Sequence, residues 1–102
     1  MQHDLFVNPN ARHRAIYPFL ADLQGNLVSG TNRVIAPLAR RQVVDGRDSR
    51  YLPLIAHEGT EYRVMLTLLA SLPAHVLRNA VGTIREARFE ITRGLDWLFS
   101  GL

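Results

Sequence analysis

The spacing of apolar residues changes once along this chain. Up to Pro73 they fall in short runs separated by turn-forming residues, the pattern of short strands. Leu5–Val7 reads as a first strand, closed by Asn8-Pro9-Asn10. Ala15–Gln24 reads as a longer one, in which Pro18 implies an edge position or a bulge because proline has no N–H for the ladder. Leu27 and Val28 lie at the centre of the loop that follows, and Arg33–Ala39 reads as a strand with a second interior proline, Pro37. Asp45-Gly46 is a turn dipeptide between two apolar runs. His57–Thr60 is a further turn, leading into Glu61–Pro73, the longest strand-like run. The pattern predicts a small barrel or curled antiparallel sheet.

From Thr83 onward the period is helical. Ile84, Ala87, Ile91, Leu95, Leu98 and Leu102 recur at steps of three and four, one stripe of an α-helix that docks on the sheet. Thr83 with Glu86 three residues later predicts a capping box. At about 100° per residue, Phe89, Arg93, Trp97 and Ser100 lie on the side away from that stripe. An aromatic–arginine–aromatic row there fits a contact surface, since Trp and Arg dominate binding hot spots. Cover by another part of the chain, or a simple stack of Arg93 on Trp97 in water, is the alternative. Trp97, Leu98, Phe99 and Leu102 crowd into the last six residues, where chain ends are ordinarily polar.

Composition narrows the chemistry more than it adds to it. A length of 102 residues fits one domain, residues 1–102. Without cysteine there is no disulfide, cysteine-bound zinc or thiol catalysis. No apolar run reaches bilayer length and the first residues lack a signal-peptide pattern, so a soluble, cytoplasmic protein is expected. All twelve basic residues are arginine, a side chain suited to carboxylates and aromatic rings. They are scattered, and a net charge of +3 is a poor nucleic-acid footprint. His3, His13, His57 and His75 are isolated, with no second ligand at helical or turn spacing. No phosphate-cradling glycine loop or nucleophile-elbow serine is present. The expectation is a protein that is not an enzyme and binds no metal.

Across nearly its whole length the chain resembles the CcdB toxins of toxin–antitoxin modules. The resemblance runs through "LADLQ", "RVIAPLA", Ser49-Arg50 and the segment "PLIAHEGTEYRVMLTLLASLPAHV", where Pro53, Arg63, Met65, Thr67, Ala70, Ser71, Pro73 and Val76 match. The stop at Phe99-x-Gly101-Leu102 fits as well. It implies an SH3-like small barrel with a second small antiparallel sheet and a C-terminal α-helix, assembled as a homodimer. It also implies a toxin that binds the DNA gyrase A subunit and traps its cleaved-DNA complex, neutralised by a disordered CcdA-like antitoxin, with no cofactor.

Residue by residue, the resemblance assigns gyrase contact to the loop pair Leu27 and Val28 and to Arg93, Asp96, Trp97, Ser100, Gly101 and Leu102. Ser100 stands where the family places a tryptophan, and a serine cannot stack. Trp97, about one helical turn earlier, is placed to cover a neighbouring part of the same surface. Antitoxin contact falls to Arg12 and Arg14 in the loop Asn10–Arg14, and to Arg41, Val43, Asp45, Arg47 and Arg50. With Arg40 their charge would suit an acidic peptide that folds on binding. The alternatives are a CcdB-like protein with lost or retargeted poisoning and, on the same barrel, an endoribonuclease toxin.

Overall fold

The computed structural model describes residues 1–25, 30–44 and 49–101. Among them seven strands form one antiparallel sheet: β1 (Asp4–Val7), β2 (Phe19–Asp22), β3 (Asn32–Arg40), β4 (Leu54–His57), β5 (Thr60–Val64), β6 (Ala70–Pro73) and β7 (Gly82–Thr83). The order is β4-β5-β3-β2-β1-β7, with β6 also on β3. The sheet curls into a nearly closed barrel, and one helix, α1 (Arg88–Ser100), follows it.

The long strand β3 organises this sheet. One edge carries β2, in the register Leu20↔Pro37 and Ala21↔Ala36. The other edge carries β6 opposite residues 32–35 and β5 opposite residues 38–40. Between them residues 65–69 face only Ala36 and Pro37. A proline offers no N–H there, so the ladder cannot continue, and the chain bridges the gap with a 3-10 turn at Leu66–Leu68. The Met65 N–H still reaches the Pro37 carbonyl, at 2.9 Å. The expected single run from Glu61 to Pro73 is therefore two strands. The hairpin β4–β5 is the smaller outlying part of the sheet, closed at His57-Glu58-Gly59-Thr60 by two positive φ angles, 50° and 81°.

Strand β2 is shorter than its apolar run implies. Residues 11–16 form turns instead, with the Ile16 and Tyr17 N–H groups donating to the His13 carbonyl. Buried Asn8 clamps this loop, its amide donating to the Tyr17 carbonyl and its Oδ1 accepting the Asn10 N–H. Pro18 sits just ahead of β2, where its missing N–H costs nothing.

Inside the barrel Leu5, Ala21, Ala36, Leu38, Tyr62, Val64 and Leu66 pack with Ile84, Ala87 and Ile91 from the helical end. Asp22 is buried to 2% exposure beside them. Its carboxylate accepts Arg33 Nε at 2.9 Å and the Gln24 N–H at 3.0 Å, so the charge is paired and hydrogen-bonded.

The helix begins later than the Thr83–Glu86 pattern predicts. Thr83 belongs to β7, where its hydroxyl donates to the His3 carbonyl and accepts the Arg85 N–H. A 3-10 turn, Arg85–Ala87, leads into α1, whose cap residue Ala87 makes no side-chain bond. The expected capping box is not what starts this helix.

Candidate interaction site

Helix α1 is pinned to the barrel at Gly94. A Cβ there would stand 2.5 Å from Leu66 Cδ1 and 2.6 Å from the Arg50 carbonyl oxygen, so only glycine admits the Ser49–Tyr51 turn this close. That approach widens the covered arc of the helix past the Ile91 stripe toward Trp97. Trp97 is half-buried, with the Arg50 guanidinium 5.6 Å from its ring centroid and 5.4 Å from that of Tyr51. The expected outward row is thus split. Phe89 is 67% exposed with Arg88 over its ring, and Arg93 is exposed, but Trp97 is partly covered, and its cationic neighbour is Arg50.

Between α1 and the segment 49–54 lies a cavity of about 250 Å³, lined among others by Arg50, Arg63, Glu90, Arg93 and Trp97. Arg63 is held there by a bond from Nη1 to the Leu52 carbonyl, at 3.0 Å. Its Nε is buried with no acceptor among the described residues. An unmade bond of that kind costs about 1–3 kcal/mol.

The far end of α1 is open. Phe99 is 74% exposed, and Asp96, Ser100 and Gly101 are exposed too. Gly101 closes the helix in the left-handed conformation, φ 72°, with its N–H on the Trp97 carbonyl. Glycine takes this conformation without strain, and it is a common way to end a helix.

The basic residues assigned to an antitoxin are spread over two regions. Arg12 and Arg14 lie in the exposed 11–16 turns, Arg14 Nε donating to the Asn8 carbonyl. Arg40 reaches the Ala15 carbonyl at 3.5 Å and so ties those turns to the end of β3. Arg41 pairs with Glu61 at 2.9 Å, and Val43 is 62% exposed. Arg50, by contrast, lies against Trp97 and shares the cavity with Arg93. Leu27, Val28, Asp45, Arg47 and Leu102 fall outside the described residues.

A larger cavity, about 490 Å³, opens on the other face of β2 and β3, lined by Tyr17, Leu20, Ile35, Pro37, Leu72 and Val76 among others. None of these was assigned a binding role from sequence. The signal was there: Val34 to Ala39 is apolar at every position rather than at alternate ones, as in a strand covered on both faces. Near the N-terminus, burial, together with Arg85 and Arg88, pushes the His3 imidazole below its ordinary value, against an opposing pull from Asp22. Among the described residues no group of three or more histidine, aspartate or glutamate side chains is arranged to hold a metal ion. No described helix is long and apolar enough to cross a membrane.

A family model described as CcdB protein matches residues 2–101. The chain belongs to the CcdB family. Membership makes it a toxin of the toxin–antitoxin kind, and the barrel with its C-terminal helix is the fold that the resemblance implied. The residues assigned to gyrase divide accordingly. Asp96, Ser100 and Gly101 share the open last turn, whereas Arg93 and Trp97 line the cavity with Arg50. Phe99, part of the tail that carries the resemblance, is the most exposed aromatic ring of that turn.

Proposed function

We propose that this protein is a toxin that seats the last turn of α1 on the DNA gyrase A subunit and traps the gyrase–cleaved-DNA complex. It acts by binding alone, as a cytoplasmic homodimer without a cofactor. The family match over residues 2–101 carries the reading. The exposed Phe99-Ser100-Gly101 end supports it, because a helix locked at Gly94 presents that end with little conformational freedom left to lose.

A CcdA-like antitoxin is the second partner. An acidic segment would run past Arg12, Arg14 and Arg41. The Arg41–Glu61 pair is exposed and worth little, so a partner's carboxylate can exchange for Glu61. Induced expression tests the proposal: growth arrest, with the chain co-purifying with gyrase A, is the expected result.

One observation favours a second reading. Ser100 is exposed where the family's tail has a tryptophan, and loss of such a residue removes several kcal/mol in typical interfaces. On that reading the fold and antitoxin binding persist without poisoning. Folded, soluble protein that binds a CcdA-like antitoxin but leaves growth unaffected would establish it.

A further inference from the structure

We infer that the cavity between α1 and the segment 49–54 is a carboxylate-binding pocket, built to take an aspartate or glutamate side chain of an acidic peptide. Three guanidinium groups, from Arg50, Arg63 and Arg93, line it against a single described carboxylate, Glu90, so the described lining is net positive. Arg93 and Glu90 make no ion pair with each other or with another described residue. Trp97 and Leu52 supply apolar walls that lower the local dielectric and strengthen a charge-assisted bond.

Arg63 gives the pocket its specificity. Its Nη1 is committed to the Leu52 carbonyl, which fixes the guanidinium plane. The other side of the fork, Nε with Nη2, is the pair that meets the two oxygens of a planar carboxylate in parallel. Nε has no acceptor of its own and is shut off from water. In the proposed complex a carboxylate meets the exposed Arg93 and draws the Arg63 fork toward it. Because Trp97 lines the same cavity, binding changes the surroundings of the only tryptophan in the chain.

The pocket shares Arg93 and Trp97 with the residues assigned to gyrase contact, but its test needs no partner protein and so can fail or succeed apart from gyrase binding. The full chain is titrated with N-acetylated tetraglutamate while Trp97 emission is followed, with tetraglutamine and inorganic phosphate as parallel arms. A saturable change with tetraglutamate, absent with tetraglutamine and weaker with phosphate, is expected. Arg93→Gln, at an exposed position, is expected to weaken it about tenfold, and Arg63→Gln at least as much. Arg78→Gln, which lies outside the cavity lining, is expected to leave it unchanged. An equal response to tetraglutamine, tighter binding of phosphate, or parent-like binding by folded Arg93→Gln would overturn the inference.

Discussion

Asp22 shows how a single residue commits this sequence to its register. A carboxylate at 2% exposure is tolerable only because Arg33, on the neighbouring strand, and the Gln24 N–H meet both of its oxygens. Removing one partner of such a pair strands the other. Asp22→Ala is expected to cost about 3–5 kcal/mol in urea unfolding, while the joint change Asp22→Leu with Arg33→Met recovers most of it. His3 ties stability to pH. Its folded value lies below the ordinary 6.5, so the unfolded chain takes up the proton first as pH falls. The stability tied to this site is complete above 6.5 and is lost as pH falls through it toward the folded value. His3→Asn keeps a side chain that tolerates the positive φ of 71° and removes the titration. The urea midpoint of that variant is expected to fall less than the parent's between neutral pH and about one unit below the ordinary histidine value.

At the scale of elements, the close contact of α1 with the Ser49–Tyr51 turn decides which helix face is free. Gly94→Ala ordinarily favours a helix by about 1 kcal/mol. Here the added methyl meets the Arg50 backbone carbonyl, which cannot turn away, and a net loss of about 1–3 kcal/mol in thermal or urea unfolding is expected. This contact also explains what the sequence did and did not disclose. Strands β1 and β3, the His57–Thr60 turn and the Ile91, Leu95 and Leu98 part of the helix stripe were legible because local pattern sets them. The break at residues 65–69 was not, because it depends on Pro37 of another strand standing opposite. The half-covered Trp97 was left between an open and a covered face, although a glycine inside a helical pattern is a sign of close backbone approach. The exposure of Phe99 was not legible for the same reason: how far a helix end stands clear of the barrel is a tertiary fact.

For the whole molecule, the fold presents two different kinds of surface. The Phe99–Gly101 end of α1 is open and held by a fixed helix, while the arginine-lined cavity beside it is recessed and charged. On the proposed function, it is the first of these that seats on the partner. The most direct measurement is a calorimetric titration of the purified chain with the DNA gyrase A subunit, repeated with Phe99→Ala and Leu102→Ala. Saturable binding by the parent, weakened about tenfold or more in each variant with circular dichroism unchanged, is what this account predicts. A correctly folded parent that fails to bind, or variants that bind as tightly as the parent, would contradict it.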